Sequence, residues 1–193
     1  MSNQNFFVNK FLYFLDKNTE DFFHDSLIYI FEHDQNGALG IIINKTIDIG
    51  EDKIFNSLNI ESLKNKSQKN LLNGGPVDID KLFIIHDSDD KESLCVKNGL
   101  NLTSSMNVVK NIASGKFKGK YKLAIGYCGW DSGQLDEEIA NNSWFVIEHA
   151  PNFVFELKVE EIIPYLSKEL GYDLRQILNL SLIHISEPTR LPG

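Results

Sequence analysis

Short apolar runs alternate with polar turns along this chain, and two of these runs predict a β-hairpin. Residues 26–31 and 38–44 are mainly apolar and flank an Asp-Gln-Asn-Gly turn. Asn-Gly tolerates the positive φ angles that a tight hairpin turn requires. The second run contains Leu-Gly-Ile-Ile-Ile, which offers no polar side chain to solvent. We therefore expect this strand to be buried on both faces, at the centre of a sheet.

A second unit, residues 123–149, combines two apolar runs with a glycine-rich turn and an acidic segment. The runs at 123–127 and 144–147 are short, which favours strands. The acidic segment between them predicts a helix at 134–141. Asp131 lies three residues before a glutamine, which is the spacing of a capping box, so we expect Asp131 to be the N-cap of this helix.

The remaining pattern predicts a mixture of strands and helices. Residues 61–70 and 87–92 are polar and predict surface loops. The pattern predicts three further helices, at 51–60, at 104–113, and in a C-terminal segment that stops at Gly171. Pro164 means that this last helix either starts near the proline or kinks there. Short apolar runs predict strands at 82–86, 93–96, 100–103 and 152–159, and a strand or an irregular apolar segment at 6–15.

Length, charge and cysteine content narrow the class of protein. A chain of 193 residues with 42% hydrophobic residues suits one domain with a substantial core. A formal net charge of −8 disfavours nucleic acids and anionic membranes at long range. Two cysteines in no paired motif favour a reducing compartment. Because the sequence has neither a signal-peptide layout nor a membrane-length apolar run, we expect a cytoplasmic protein.

Four motifs occur in order along the chain. They are Gly-Ala-Leu-Gly-Ile-Ile-Ile-Asn-Lys at 37–45, Gly-Gly-Pro-Val at 74–77, Leu-Phe-Ile-Ile-His at 82–86, and a segment at 126–144 that begins Gly-Tyr-Cys-Gly-Trp. Together they resemble the AlgH/YqgE family of bacterial proteins, and the last motif is the most specific. The resemblance covers about residues 6–178.

The resemblance implies a single α+β domain with a mixed, bifurcated β-sheet that is curled into a pseudo-barrel and has flanking helices. It implies no catalytic residue set and no cofactor, because none is established for this mostly uncharacterised family. A genetic link to transcriptional regulation comes with it. The chain departs from the family pattern at Cys128, where a small residue such as alanine is usual, and at Ile162 and Ile163, where Arg-Trp is usual. The first departure weakens a thiol-catalysis interpretation.

Two glycine-rich turns, at 73–77 and 128–133, contain the candidate binding residues. Either turn could hold an anion through its backbone N–H groups, the second at a helix N-terminus. Carboxylates at 131 and 136–138 oppose an anion there, and neither turn matches a P-loop or a dinucleotide fingerprint. Tight backbone geometry is therefore the favoured explanation for the glycines. The candidate binding residues are Asn44, Gly74, Gly75, Pro76, Gly129, Trp130, Gly133 and Gln134.

Other chemistry-bearing residues have ordinary structural explanations. Cys128 precedes a predicted helix start, where a thiolate is stabilised, but a small buried thiol is favoured. Lysines at every second position from Lys116 to Lys122 would share one face of a strand. They could form a phosphate-binding stripe, but the favoured interpretation is that they protect an exposed sheet edge. We predict no metal site and no catalytic residues, because the sequence shows no metal-ligand spacing and no nucleophile motif. The same absence of metal-ligand spacing gives structural or surface roles to four histidines, His24, His33, His86 and His149.

Two classes of function remain open. The favoured one is a non-catalytic, cytosolic binding or regulatory protein that acts indirectly on transcription, through an unknown protein or small-molecule partner and without specific DNA or membrane binding. The alternative is an enzyme that acts on a small molecule near the two glycine-rich turns. A deep polar pocket that joins the turns would favour the enzyme, and a flat or apolar surface would favour the binding protein.

The C-terminal segment differs in character from the rest. Leu-Ser-Leu-Ile-His-Ile-Ser-Glu-Pro-Thr-Arg, which starts at Leu180, resembles a translated sequencing adapter. We expect the natural domain to span residues 1–179 and the segment 180–193 to be foreign to it. Removing one acidic and one basic residue with this segment leaves the net charge unchanged.

Overall fold

The computed structural model describes residues 6–63 and 69–177. Within these ranges the chain forms one domain of the α+β class. The helices are α1 Glu51–Ser57, α2 Met106–Ala113, α3 Gln134–Ala140, α4 Phe153–Glu156 and α5 Val159–Leu170, followed by a 3-10 turn at Leu174–Gln176. The strands are β1 Phe11–Phe14, β2 Leu27–Asp34, β3 Gly37–Ile42, β4 Thr46–Gly50, β5 Asn70–Asn73, β6 Val77–His86, β7 Leu94–Cys95, β8 Asn101–Thr103, β9 Tyr121–Asp131 and β10 Trp144–Ile147.

The predicted hairpin is confirmed. Strands β2 and β3 pair antiparallel around the Asn-Gly turn, with a bulge between Ile30 and Glu32. Strand β1 pairs with β2 on one side and with β10 on the other, so that Phe11 lies opposite Ile147. The sequence Leu-Gly-Ile-Ile-Ile is buried from Gly40 onward, as its apolar character predicted.

Strand β9 divides the sheet into two branches. Its first half pairs with β6 along one edge and with β5, in parallel, along the other. Its second half pairs with β3. The backbone N–H of Ile42 in β3 also donates to the carbonyl of Gly74, which follows β5, at 2.9 Å. The bifurcation therefore lies where the neighbour of β9 along this edge changes from β5 to β3.

Gly126 reverses the side-chain alternation at this bifurcation. Before it, Leu123 faces the outside of the sheet and Ala124 the inside, whereas after it Tyr127 faces the inside and Cys128 the outside. Gly126 has φ +73°, a left-handed conformation that glycine adopts without steric cost. One residue in this conformation offsets the inside–outside alternation of side chains by one position. Even-numbered residues therefore face the inside before Gly126, and odd-numbered residues face the inside after it.

The largest apolar cluster lies inside the curl of the sheet. It contains Ile147 of β10 and Leu102 of β8, which belong to strands near opposite ends of the sheet. Helices α4 and α5 add Phe153, Ile162 and Leu166 to the same cluster. The sheet must curl to bring its two ends onto one core, but it is not closed, because β10 and β7 remain its terminal strands.

Each branch also buries its outer face. On the branch of β1, β2, β3 and β10, helix α3 covers the outer face, with Leu135 packed beside Trp130 and Trp144. On the other branch, helices α1 and α2 supply Phe55 and Ile112. The sheet is thus the middle layer of the domain, as expected for packed layers around a shared sheet.

Two predictions about local structure are wrong. Strand β9 continues through the predicted turn at 128–133 as far as Asp131, because residues 128–131 pair with β3. The predicted strand at 152–159 is helix α4 followed by the start of α5. The predicted surface loop at 61–70 is confirmed where it is described, because residues 61–63 and 69 have no regular structure and Asn70 alone belongs to strand β5. Residues 64–68 of that loop lie outside the described residues.

The start of helix α3 also differs from expectation. Gly133, at φ +72°, is the N-cap of α3 instead of Asp131. The expected bond of the capping box is nevertheless present, because the backbone N–H of Asp131 donates to Oε1 of Gln134 at 2.9 Å. Helix α5 begins at Val159 and contains Pro164 within its length. The suspected adapter, residues 180–193, lies outside the described residues.

Candidate functional site

The two glycine-rich segments named by the sequence pack directly against each other. A Cβ on Gly75, which has φ +155°, would lie 2.1 Å from the carbonyl carbon of Tyr127. A Cβ on Gly126 would lie 2.4 Å from the carbonyl oxygen of Gly75. The glycines therefore allow two backbones to cross without side chains between them. This crossing holds the turn before β6 against the second half of β9.

A pocket of about 260 Å³ lies beside this crossing. Four of the predicted binding residues line it: Pro76 from the first segment, and Gly129, Trp130 and Gln134 from the second. These residues are more than fifty positions apart in the chain. The structure thus joins the two predicted segments in one concave site.

Glu138 supplies the polar centre of this pocket. Its Oε2 accepts hydrogen bonds from Nε1 of Trp130 at 2.9 Å and from Nε1 of Trp144 at 2.7 Å. Its Oε1 accepts one from Nε2 of Gln134 at 2.8 Å. A carboxylate has about four acceptor positions, so these three donors fix its orientation and leave one position open.

Aromatic rings form most of the remaining wall. The Trp144 ring centroid lies 4.9 Å from that of Phe14 and 5.4 Å from that of Phe23, both in edge-on or tilted arrangements. Trp130 meets Trp144 edge-to-face at 5.9 Å between centroids. Phe23 reaches the pocket from the segment between β1 and β2, and no sequence motif connects that segment with the pocket. Trp130 and Trp144 are both buried, at 7% and 4% exposed.

The other four candidate residues lie outside the pocket wall. Asn44 holds the end of β3 to the start of β2 through its side chain. Its Oδ1 accepts a hydrogen bond from the N–H of Leu27 and its Nδ2 donates one to the carbonyl of Asp25, both at 2.8 Å. Gly74 and Gly75 serve the backbone crossing, and Gly133 begins helix α3. The three glycines therefore serve tight backbone geometry, which was the favoured explanation for them in the sequence.

A comparison with known protein families now decides the family. The model of the AlgH-like family, DUF179, matches residues 11–175. This chain belongs to the AlgH-like family. Among its relatives, a UPF0301 protein of Dechloromonas aromatica is 33% identical over 184 residues, which cover 94% of this chain and 98% of the relative. A UPF0301 protein of Shewanella baltica is 34% identical over 175 residues, which cover 88% of this chain and 94% of the relative.

Solved structures agree with this AlgH-like assignment. The solution structure of the AlgH protein from Pseudomonas aeruginosa matches with a TM-score of 0.76 at 26% identity, over 99% of this chain and 98% of that one. A protein from Corynebacterium diphtheriae has the same fold, with a TM-score of 0.61 at 21% identity, over 82% of this chain and 91% of that one. The resemblance seen in the sequence motifs is therefore confirmed, together with the fold class that it implied.

Cys128 lies at the bottom of the pocket. It is only 1% exposed, and its Sγ donates to the carbonyl oxygen of Gly74 at 3.4 Å. Burial raises the pKa of this thiol well above its usual range, although the charge of Lys45 acts in the opposite direction. The side chain is thus a protonated thiol at neutral pH, which agrees with the favoured structural interpretation.

Carboxylates surround the open side of the pocket. An adjoining groove of about 480 Å³ shares Val77, Gly129 and Trp130 with it and is lined by Glu32, Asp34 and Asp131. On helix α3, Asp136 lies 3.0 Å from Nε2 of the buried His33. The potential on this face is therefore negative, and it favours positively charged groups.

His86 serves local structure. His86 is fully buried, with its Nε2 2.8 Å from Oγ of Ser93 and its Nδ1 3.2 Å from Oγ of Ser88. Over residues 6–63 and 69–177, no group of three or more His, Cys, Asp or Glu side chains could hold a metal ion. Within the same ranges, no helix is both long and apolar enough to cross a membrane.

Proposed function

We propose that this AlgH-like chain is a non-catalytic, cytosolic binding protein that recognises a basic segment of a partner protein. The pocket formed by Phe14, Phe23, Trp130, Trp144 and Glu138 receives a cationic side chain of that segment. Any effect on transcription then runs through the partner and not through contact with DNA.

The observation that carries this proposal is the hydrogen-bonded carboxylate within an aromatic wall. Aromatic faces attract cations through their quadrupole, and arginine is the cation most often found there. Glu138 keeps an acceptor position for a guanidinium or ammonium group, because three of about four positions are occupied. The carboxylates of the adjoining groove attract the same kind of partner and repel anions.

The pocket's chemistry also supports binding over catalysis. It is neither the deep polar pocket that would favour an enzyme nor a flat surface, since aromatic rings surround a single carboxylate. Its wall contains the Cys128 thiol, whose pKa burial raises. A protonated, buried thiol is a poor nucleophile.

Intrinsic fluorescence tests the proposal directly, because the chain has two tryptophans and both line the pocket. The probe is an acetylated, amidated peptide with one arginine between leucines, and its matched control has glutamine in place of arginine. We expect a saturable change in tryptophan emission with the arginine peptide and a much weaker response to the glutamine peptide.

Two variants make the test specific. Glu138→Gln keeps the size of the side chain but removes its charge, so it should abolish the difference between the two peptides. Glu137→Gln removes an exposed charge from the same helix turn outside the pocket wall and should leave the response close to that of the natural sequence. Equal responses to the arginine and glutamine peptides in the natural protein would refute the proposal.

A further inference from the structure

A larger cavity, of about 540 Å³, lies at the opposite branch of the sheet and shares no lining residue with the aromatic pocket. It lies between the first half of β9 and the segment that joins α4 to α5. Phe155, Leu157 and Val159 contribute apolar surface to it and pack against the inner core. The cavity is thus an opening into the curl of the sheet, the kind of place where barrel-like folds commonly bind small molecules.

Lys122 gives this cavity an unusual polar group. By the alternation of β9 it shares the inner face of the sheet with Ala124, which is fully buried. Its Nζ donates to the carbonyl oxygen of Leu157 at 3.3 Å, and this is its one hydrogen bond to the described residues. An ammonium group has three N–H donors, so two of them point into the cavity or to water.

The charges around Lys122 leave its ammonium without a close counter-ion among the described residues. The carboxylate of Glu51 receives the hydroxyl of Tyr121 at 3.2 Å, and Glu156 pairs with Lys120 at 3.3 Å. Burial lowers the pKa of Lys122, the positive charge of Lys69 lowers it further, and only Glu160 acts in the opposite direction. Three lysines, Lys69, Lys122 and Lys158, line the cavity together with Glu51, Glu156 and Glu160. An anion bound at Lys122 would offset the repulsion between Lys122 and Lys69.

We propose that this cavity binds a small amphiphilic anion, with its charged oxygens on Lys122 and its apolar part against Phe155 and Leu157. The volume suits a molecule with a short hydrocarbon body, since ligand pockets commonly measure about 300–1,000 Å³. The anionic group is a carboxylate or a phosphate monoester, because both offer several oxygens to the two remaining N–H donors. This site does not depend on the aromatic pocket, so either proposal can fail without the other.

Titration calorimetry with four probes tests the inference. Octanoate and octyl phosphate carry both the charge and the apolar body, whereas 1-octanol lacks the charge and inorganic phosphate lacks the apolar body. We expect saturable binding of at least one of the two amphiphilic anions, and the tighter of them identifies the head group. Binding of inorganic phosphate as tight as that of octyl phosphate would contradict the apolar half of the site.

Variants separate the role of Lys122 from general charge. Lys122→Met should weaken binding of the anion by roughly tenfold or more, because it removes a charge-assisted hydrogen bond. Lys122→Arg should restore most of the affinity. Lys116→Met removes an exposed lysine outside the cavity and should change nothing. Circular dichroism melting checks that the variants fold. If neither amphiphilic anion binds saturably, or if Lys122→Met binds like the natural protein, the inference is wrong.

Discussion

Asp25 connects three distant parts of the chain through its carboxylate. Tyr13 donates its hydroxyl to Oδ1 at 2.8 Å, while Arg175 donates from Nε to Oδ1 at 3.1 Å and from Nη2 to Oδ2 at 3.0 Å. Burial alone would raise the pKa of Asp25, but the hydrogen bonds from Arg175 and Tyr13 outweigh it and hold the pKa below its usual range. The folded protein therefore favours the ionised form of this side chain.

We expect Asp25→Asn to lower the free energy of unfolding by about 1 kcal/mol at neutral pH, a modest value because Arg175 is partly exposed. A lowered pKa stabilises the fold above the unfolded pKa, and this contribution is lost as pH falls through the folded pKa. The difference between the two proteins should thus shrink below about pH 4. Asparagine tolerates the positive φ of this position, 55°, so backbone strain is not added.

Urea unfolding of both proteins from neutral to acidic pH measures this effect. A difference in unfolding free energy that stays constant over the whole range would show that Asp25 does not stabilise the fold through its charge.

The two cysteines should differ sharply in reactivity. Cys95 is exposed and Cys128 is buried, with a pKa raised by that burial. Because the thiolate is the reacting species, Ellman's reagent should modify one thiol rapidly in the folded protein and the second only after denaturation. Cys95→Ser should remove the rapid phase, and Cys128→Ala should leave it unchanged. A rapid phase that persists in Cys95→Ser would mean that the pocket exposes its thiol.

Some residues of the candidate site could be predicted from the sequence and others could not. Pro76, Gly129, Trp130 and Gln134 lie in recognisable motifs, and all four line the pocket. Glu138 did carry a signal, since it follows Gln134 by four positions and so shares its helix face. Phe14 and Phe23 carried none, because their place in the wall depends on the pairing of β1 with β10, which is set by contacts far apart in sequence.

At the level of elements, the crossing of the 73–77 turn and β9 depends on Gly126. We expect Gly126→Ala to cost more than 2 kcal/mol of stability, because its Cβ would meet the carbonyl oxygen of Gly75 at 2.4 Å. Gly115 provides a matched control: its φ is +72° against +73° for Gly126, but a Cβ there meets nothing within 4 Å. Gly115→Ala should therefore cost only the backbone term, about 1 kcal/mol.

Thermal and urea unfolding of the two variants measure the difference between crowding and backbone strain. Equal losses at the two glycines would mean that the backbones at the crossing separate easily to accept a methyl group.

The same glycine explains why β9 was predicted too short. Its period-two pattern changes parity at Gly126, and the glycines that follow suggested a turn, whereas β3 keeps residues 128–131 in the sheet. The hairpin of β2 and β3 was predictable because its signal is local. In contrast, Phe-Val-Phe at 153–155 has high strand propensity but forms α4, since it covers the inner core instead of joining a sheet edge.

For the whole molecule, we predict that the purified protein does not bind duplex DNA specifically. The net charge is −8, and Arg175, the sole arginine of the described residues, is paired with Asp25. The expected lysine stripe is not one face of a strand, because β9 begins at Tyr121, Lys120 pairs with Glu156, and Lys122 lies at the inner cavity. Few phosphates can then be neutralised at once.

Fluorescence anisotropy with promoter fragments and scrambled DNA, at physiological salt, should show no binding tighter than about 1 µM. Sub-micromolar binding that distinguishes the fragments, and that weakens when the lysines at 116, 118, 120 and 122 become glutamine, would overturn this prediction.

The pairing of β1 with β10 also determines how late in synthesis the N-terminal strands can complete their sheet. Phe11 finds its partner Ile147 only after most of the chain has been synthesised, and β3 likewise waits for the second half of β9. Until then, an apolar three-stranded segment has two unpaired edges, which are templates for aggregation. Contacts between such distant residues form slowly. We therefore expect a ribosome-associated chaperone to bind the nascent N-terminal third and to release it once β10 has left the exit tunnel.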